Sequence, residues 1–528
     1  MDLSLWAYVQ LAWHAVFIQD PALTVLGLPL TTPVLMTAAG LVLGIVVGAI
    51  PGLSGPFAMA VSLPLLIASF GFDASALLPV LGFLIGIMKG ATVGGAVPAI
   101  LFNTPGTPDA MLTTFDGHPM ALRGQASKAL RVAHLSSVSG DTFSDLVLIT
   151  SAPFLALLVE RYLGFPEKAA LIILSLAFIA AVVGHSVIKG LLAACLGMLL
   201  ASIARGEDST PRLTGGWASL AGGIPLEAAV LGVLILGEVM YALLNIGQRR
   251  RAKRAQDQVQ AHDEGDQRLH WHEAKALWRF ILPSACIGTV IGALPGIGST
   301  MAATLGRALA VRRYRGQPPL GQGAPAGIAA TEAANSAVAG ANLIPVLSLG
   351  IPGNVAAVFL LLAMESIGGL NPGPGVFRLN LDSVNPELVA VIGLFTLMLL
   401  ANLLNWTVGG LFMRRVGVLR HLPPLLMLPM VMVITLTAIY LQSPHMSTLA
   451  MAFAFGLLGL LMRILNYSVL PFVIAFILSD NLERLLRQAF SVSGADPWFL
   501  FSSPLASVLM LCAFGVVVFF TAKPMDLR

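Results

Sequence analysis

The sequence predicts an all-α polytopic membrane protein built from two related halves, and three observations support this. The chain has 528 residues, of which 57% are hydrophobic and only 11% charged, unlike a soluble domain. Continuous apolar runs recur along the chain, each long enough to cross about 30 Å of hydrocarbon or to form half of a broken crossing. A motif rich in glycine and proline occurs twice. Together these features predict roughly ten to twelve transmembrane helices.

The first segment, MDLSLWAYVQLAWHAVFIQD, lacks the basic region and the small-residue cleavage site of a signal peptide. We interpret it as a helix that lies in or enters the membrane interface. Cys195, Cys286 and Cys512 lack metal-ligand spacing and are predicted to be small core residues. The net charge of +4 is explained by loops that face an anionic lipid leaflet, so nucleic acid is not an expected partner.

The duplication begins with GLVLGIVVGAIPGLSGP at 40–56 and SACIGTVIGALPGIGST at 284–300, which share the pattern G-x-x-x-G-A-x-P-G. A second pair follows in the same order, PAILFNTPG at 98–106 and PVLSLGIPG at 345–353. The order predicts a first transmembrane repeat and a second one that carries the C-terminal helices, joined by a basic, polar cytoplasmic linker. The predicted bounds are 1–245, 246–279 for the linker, and 280–528.

Lysine and arginine positions suggest the orientation of the repeats. Basic residues flank both ends of 280–311, which predicts a hairpin that opens to the cytoplasm and turns at Pro295–Gly296. Its arms, roughly 12 to 15 residues each, are too short to cross alone. The matching segment 34–70 has no basic residue and is expected to open to the outside. This predicts inverted-topology repeats, with a substrate site near the midplane; ordinary broken helices with an accidental charge bias are the alternative.

Glycines spaced by four residues precede each Pro-Gly and predict close helix packing. The Pro-Gly itself breaks the helix, and the next helix starts at membrane depth with a partial positive charge that suits a carboxylate. The second pair of breaks adds amide and hydroxyl groups, although a plain turn is the simpler alternative. The predicted substrate-binding residues are Gly52, Ser54, Gly55, Asn103, Thr104, Pro105, Gly106, Thr107, Gly296, Ser299, Thr300, Gly353 and Asn354.

Ionisable groups in apolar segments are candidates for function. Glu332 and Asn335 lie one helical turn apart and are predicted to serve a coupling cation or proton, together with Gly106 and Gly353. Lys89 is expected to pair with Glu332 or an anion, or to snorkel towards the interface. We see no nucleotide-binding loop, nucleophile motif or paired carboxylates inside the apolar segments. The expected cofactor set is therefore empty, with Na⁺ or H⁺ as coupling ion and no other metal.

These motifs resemble the large membrane subunit of the tripartite tricarboxylate transporters. The resemblance rests on residues 40–55, on GGAVPAILFNTPGTPDAMLTTFDGHPMALRGQASKAL at 94–130, on GALPGIGSTMA at 292–302, and on residues 331–357 with GGLNPGPGVF at 368–377. It implies a secondary transporter of the inner membrane, driven by an Na⁺ or H⁺ gradient. The implied partners are a small membrane subunit and a periplasmic solute-binding protein. The implied substrates are citrate and other tricarboxylates, dicarboxylates or aromatic acids.

Other functions are compatible with the sequence. A stand-alone carboxylate carrier would need no binding protein, and a neighbouring gene for such a protein would separate the two. A membrane-embedded enzyme would need convergent acids, bases or metal ligands at one depth. A passive channel would show neither saturation nor dependence on a gradient.

Overall fold

The computed structural model of this chain is a bundle of helices, with one short antiparallel pair of strands in the part that it describes. The predicted class, an all-α polytopic membrane protein, is confirmed. The described residues are 4–25, 28–50, 54–103, 108–182, 186–204, 212–217, 220–244, 267–296, 298–379, 383–413, 432–433, 435–437, 439–440 and 444–522.

We number the elements in chain order. The bounds are α1 Leu5–Phe17, β1 Pro21–Val25, β2 Leu28–Thr31, α2 Thr32–Gly48, α3 Gly55–Phe70, α4 Ala74–Phe102, α5 Thr114–Leu122, α6 Ala126–Tyr162, α7 Phe165–Val182, α8 Val187–Ala201, α9 Leu226–Leu231, α10 Gly237–Leu244, α11 Trp271–Gly292, α12 Gly298–Arg313, α13 Pro325–Ala341, α14 Leu343–Leu349, α15 Val355–Ser366, α16 Pro386–Leu404, α17 Gly410–Met413, α18 Met446–Ile464, α19 Val469–Val492 and α20 Pro504–Ala522. Single π turns, Gly232–Leu236 and Asn405–Gly409, continue α9 into α10 and α16 into α17. Short 3₁₀ turns are Pro108–Thr113, Pro374–Phe377 and Phe499–Phe501.

Seven helices in the described ranges are long and apolar enough to cross a membrane, and five further apolar helices are shorter. The seven are α4, α6, α7, α11, α16 with its π turn, α18 and α20. The shorter ones include α2 and α3, which correspond to the two arms of the predicted first hairpin. The number of crossings, roughly ten to twelve, stays a prediction.

The helix breaks fall where the sequence predicts them. The first break separates α2 from α3, and the corresponding one separates α11 from α12. The predicted length of the arms is wrong for α11, which has 22 residues. This helix begins inside the predicted linker, where Glu273 stabilises its first turn. The Glu273 carboxylate accepts a hydrogen bond from the N–H of His270 (3.0 Å) and forms an ion pair with Lys128 of α6 (2.6 Å). Most of the predicted linker, residues 246–266, lies outside the described residues.

Glycines spaced by four residues form a stripe along α2 (Gly40, Gly44 and Gly48) and along α11 (Gly288 and Gly292). Both glycine stripes pack closely against another helix, as predicted. A Cβ added at Gly44 of α2 would lie 2.5 Å from the carbonyl oxygen of Ile87 in α4, and the stripe glycines one turn before and after are equally tight. In the second half, a Cβ added at Gly292 of α11 would lie 2.9 Å from the Cα of Val338 in α13. Each stripe therefore packs the first helix of a predicted hairpin against the helix that follows the hairpin, α4 in the first half and α13 in the second.

The long helix α6 contacts both halves and gives their relative directions. Along α13, Ala333 lies against Gly140 of α6, and Gly340 further along lies against Asp145. Residue numbers thus rise together, so α13 runs parallel to α6.

Along α4 the order is reversed. Lys89 reaches Asp145 of α6, whereas Ile100, near the other end of α4, clusters with Ala129. Residue numbers therefore rise in α4 while they fall in α6, and α4 runs antiparallel to it. Since α13 runs parallel to α6, α4 and α13 run in opposite directions.

The three cysteines lie on the outside of the bundle. Cys195, Cys286 and Cys512 are all exposed and free, so their predicted position in the core is wrong. The surface of a membrane protein faces lipid and is as apolar as its core, so a hydrophobic pattern does not separate the two.

Candidate functional site

A small cavity lies where helix breaks of the two halves meet. Its volume is about 80 Å³. It is bounded by the first turns of α3, α12 and α15, by the middle of α4, by the second half of α13, and by the turn before α5. The lining residues are Gly55, Pro56, Met88, Ala91, Thr92, Asp109, Ser299, Asn335, Val338, Ala339, Asn354 and Ala356. Four of the predicted residues therefore line one cavity: Gly55, Ser299, Asn335 and Asn354.

Three helix N-termini border this cavity. The Ser54 hydroxyl caps α3 by accepting the N–H of Phe57 (3.4 Å), and the Asn354 side chain caps α15 by accepting the N–H of Ala357 (2.8 Å). Ser299 stands in the first turn of α12. Other N–H groups of a helix's first turn have no partner inside the helix, so each end presents donors and a partial positive charge.

The two breaks of the second half touch each other. The N–H of Gly296 donates to the carbonyl oxygen of Gly353 (3.0 Å). Gly296 has a φ of +87°, and a Cβ there would lie 2.5 Å from the Cγ1 of Ile179 in α7, so both backbone shape and space demand glycine. Neither Gly296 nor Gly353 lines the cavity, and their role is to hold the start of α12 beside the start of α15.

Two polar lining residues were not predicted. Asp109, in the turn before α5, accepts a hydrogen bond from the hydroxyl of Thr300 (2.7 Å), which ties the turn to α12. The Thr92 hydroxyl donates to the carbonyl oxygen of Met88 (3.0 Å) and keeps its lone pairs for another partner. A signal for Asp109 was available, because this acid directly follows the second break in NTPGTPD.

Glu332 is fully buried beside the cavity, in α13. Thr113 donates to one of its carboxylate oxygens, and Ser137 of α6 donates to the other (3.0 Å). Asn335, one turn further along α13, lines the cavity itself. Glu332 therefore connects α13 to α6 and to the turn before α5, next to the cavity but outside its lining.

Lys89 does not pair with Glu332, and this prediction is wrong. Its ammonium lies 2.7 Å from a carboxylate oxygen of Asp145 and 3.1 Å from one of Asp141, both on α6. The amide of Asn402 in α16 donates to Asp145 as well (2.7 Å). The expectation that apolar segments hold no paired carboxylates is also wrong. The available signal was two aspartates four residues apart, which share one face of a helix.

Asn103 is not among the residues that line the cavity. It ends α4 in a left-handed conformation (φ +52°), with its N–H donating to Pro98, and its side chain is exposed. The polar residues that interrupt the apolar run predicted the end of α4. The direction of the Asn103 side chain, however, depends on the left-handed backbone conformation at that residue, which the pattern does not give. Five further predicted residues lie outside the described ranges: Gly52, Thr104, Pro105, Gly106 and Thr107.

A helical membrane bundle with a polar cavity at converging helix breaks belongs to the class of membrane transport proteins. The comparisons with known proteins agree. The model of the tripartite tricarboxylate transporter TctA family matches residues 34–474. The chain belongs to this family, which confirms the resemblance seen in the sequence and points to a transporter rather than an enzyme.

Two relatives come from Agrobacterium vitis. An uncharacterized 52.8 kDa protein in the TAR-I ttuC' 3' region is 28% identical over 496 residues, which cover 91% of each chain. An uncharacterized protein in the TAR-II ttuC' 3' region is 25% identical over 227 residues, which cover 42% of this chain and 89% of that protein. No solved structure shows a significant match.

Proposed function

We propose that the chain is the large membrane subunit of a binding-protein-dependent secondary transporter that imports a small carboxylate anion. The substrate is citrate or another tricarboxylate, or a related dicarboxylate or aromatic carboxylate. A small membrane subunit and a periplasmic solute-binding protein complete the system in the inner membrane. The observation that carries the proposal is the cavity shared by three helix N-termini from both halves.

The chemistry of the lining suits a carboxylate. The first turns of α3, α12 and α15 supply backbone N–H donors and partial positive charge. Ser299, Asn335 and Asn354 add hydroxyl and amide donors within the same cavity. A cavity of about 80 Å³ is smaller than the pockets that usually hold organic ligands. Substrate entry therefore requires the helix breaks to move apart.

The direction of the helices supports an inverted-repeat mechanism. Because α4 and α13 run in opposite directions, the hairpins packed on them also point in opposite directions. In transporters of this kind, one repeat rocks against the other around a site near the midplane. Alternating access in this protein would open the cavity first towards one hairpin's side and then towards the other.

A cation gradient, of Na⁺ or H⁺, supplies the energy. Asp109 in the lining would repel a carboxylate but attract a cation that enters with it. The oxygens of Asn335 and Thr92 lie in the same cavity and are ligands of the kind that Na⁺ accepts. Glu332, next to Asn335, is a further candidate for the coupling ion.

The test is gradient-driven uptake of radiolabelled carboxylates by cells that express the chain with both partner subunits. We expect saturable uptake of citrate or a related acid that requires all three subunits and is abolished by dissipating the cation gradients. Uptake that proceeds fully without the binding protein would favour a stand-alone carrier, and non-saturating flux would favour a channel.

A variant pair ties uptake to the cavity. Ser299→Val places a branched apolar group in the lining and is expected to abolish uptake. Ser69→Val, in the exposed last turn of α3, is the matched control and should transport normally. Equal uptake by the two variants at equal expression would contradict the assignment of the cavity.

A further inference from the structure

We propose that Lys89, Asp141 and Asp145 form a proton-binding site, which holds one exchangeable proton and couples its movement to transport. We call these three residues with Asn402 the buried charge cluster. The coupling part rests on the proposed function, because it assigns an H⁺ site within that transporter. The proton-binding part is independent of which substrate is carried.

The net charge of the buried charge cluster depends on whether one of its two carboxyl groups is protonated. Lys89 and Asp145 have no exposed side-chain surface, and Asp141 has only 2% exposed. If both carboxylates are ionised, the single ammonium leaves one negative charge uncompensated in a buried place. An unpaired buried charge is strongly unfavourable. One proton on either carboxyl makes the cluster neutral.

Not every buried polar atom of the cluster is hydrogen-bonded to a described residue. Among the residues that the structure describes, neither the Oδ1 atom of Asp145 nor the Oδ1 atom of Asn402 has a hydrogen-bond partner, although both atoms are buried. Gly340 of α13 leaves the space for this carboxylate, since a Cβ there would overlap with Asp145 Oδ1. Buried polar atoms are normally satisfied, so an unpartnered carboxylate oxygen indicates a site that another species completes.

A proton fits this site better than a metal cation. The Lys89 ammonium is already within 3.1 Å of both carboxylates and would repel a second cation. A proton forms an ordinary O–H bond with one carboxylate oxygen and needs no further ligands. The step balances simply, since carboxylate and H⁺ give a carboxylic acid on one side of the membrane and the reverse occurs on the other.

Among the described helices around the cluster, few other charged groups face it. Lys89 is the only ionisable residue of α4, and α2 and α14 have none. The only acid of α13, Glu332, is bound to Ser137 one turn before Asp141, and the only acid of α16 lies in its first turn, at Glu387. Towards the ends of α6 lie further charged or titratable groups: Lys128, Arg131, His134, Glu160, Arg161 and Tyr162.

The position of Lys89 links the cluster to the cavity. Met88 and Thr92 line the cavity, and Lys89 lies between them on α4. The cluster also joins α4 to α6 and, through Asn402, to α16. Loss of the proton changes the attraction among these three helices. A proton bound on one side of the membrane can thereby bias which way the cavity opens.

Infrared difference spectroscopy on the purified full chain in lipid nanodiscs tests proton binding without a substrate. The wild type is expected to show the carbonyl absorption of a protonated carboxylic acid, lost as pH rises. Asp141→Asn and Asp145→Asn should each remove this band, while the matched control Glu332→Gln keeps it. A wild type without the band, or a band that disappears only in Glu332→Gln, would overturn the proposal.

Transport of citrate by the complete three-subunit system tests coupling. Either Asn variant should lose at least tenfold in accumulation driven by a pH gradient, while exchange of internal for external citrate continues. A variant that still accumulates citrate in proportion to the pH gradient would refute coupling. If no protein in the series moves citrate, the proposed function fails for that substrate, whereas the infrared result still decides the proton site.

Folding gives a second readout of the same charge count. Each single Asn variant leaves Lys89 with one carboxylate, so normal expression and thermal stability are expected. The double variant Asp141→Asn with Asp145→Asn leaves the lysine unpaired and should fail to accumulate. Single variants that fail to fold, with folding restored by Lys89→Met, would show that both carboxylates are ionised together and would contradict the proposal.

Discussion

At the scale of single residues, the packing of the helices determines which side chains pair with the charged groups inside the bundle. Lys89 and Glu332 are each an ionisable residue in an apolar segment, but they do not bind each other. Lys89 binds Asp145 of α6, and Glu332 binds Ser137 of the same helix. Asp141 and Asp145 lie among serines and threonines, in SSVSGDTFSD, and this pattern indicates the polar face of a helix. Only the packing of α4 and α13 on this face reveals it as the polar interior of the bundle.

The first prediction concerns Thr92, the hydroxyl of α4 within the cavity. Thr92→Val keeps the shape and removes a hydrogen-bonding partner of the substrate or ion. A hydrogen bond to a charged group is worth about 1.5 kcal/mol, so the apparent affinity for citrate should fall about tenfold. The measurement is the citrate concentration at half-maximal uptake.

Thr396→Val is the control for Thr92→Val. Its hydroxyl makes the same kind of bond to the preceding turn, to Ile392 (2.9 Å), but it lies on α16 outside the cavity lining. The control should transport with unchanged affinity. If both valine variants behaved like the wild type, Thr92 would have no role in binding.

The second prediction concerns Asp116 of α5, which holds the loop between α12 and α13. Its buried carboxylate accepts the N–H groups of Gly321 (2.7 Å) and Ala324 (3.0 Å) and pairs with Arg307 (2.6 Å). Asp116→Asn removes the charge and leaves Arg307 largely buried without its partner. We expect a loss of about 3 kcal/mol in the free energy of unfolding, seen as a lower melting temperature of the purified protein.

The comparison for Asp116→Asn is the exposed ion pair between Glu160 and Arg378. Glu160→Gln should cost less than about 1 kcal/mol, because water and salt screen an exposed pair. Equal melting temperatures for the two variants would mean that Asp116 does not anchor this loop.

At the scale of elements, the glycine stripes decide how closely helices approach. The spacing of four residues predicted a flat helix face, and α2 and α11 use that face against α4 and α13 respectively. Which helices these glycine faces pack against could not be predicted from the sequence. The start of α11 could not be predicted from the sequence either. The ion pair between Glu273 and Lys128 that helps to order this helix end joins two parts of the chain that are far apart in sequence.

The third prediction tests this packing. Gly44→Ala would bring a methyl group to 2.5 Å from a backbone oxygen of α4, which rigid backbone cannot avoid. Overpacking of this kind costs about 1 to 3 kcal/mol, so a lower melting temperature and less folded protein are expected. Gly515→Ala is the control, since a Cβ there meets nothing within 4 Å. The control should be neutral or stabilise α20 by up to about 1 kcal/mol, and an equal effect of both substitutions would contradict the packing argument.

At the scale of the whole molecule, the fourth prediction tests the opposite orientation of the two halves. Asp73 precedes α4 and Gln322 precedes α13, and both are exposed. In a background without the three native cysteines, a membrane-impermeant thiol reagent should label the Asp73→Cys variant in intact spheroplasts. The Gln322→Cys variant should react only after permeabilisation.

The labelling experiment contains its own controls. Reaction of both variants in permeabilised cells shows that both thiols are accessible. The cysteine-free background should not react at all. Equal labelling of both variants from one side of the membrane would rule out inverted repeats.

The sequence by itself determined the membrane location, the helical class, the duplication and the helix breaks, because each depends on composition or on the order of neighbouring residues. It also pointed to Ser299 and Asn354, since polar groups beside a break at membrane depth need a partner. Tertiary structure decided which breaks share a cavity, which acids bind Lys89 and which way the cysteines face. The physical reason is that lipid and protein core are equally apolar, so an apolar pattern indicates depth in the membrane but not the neighbour that each helix face meets.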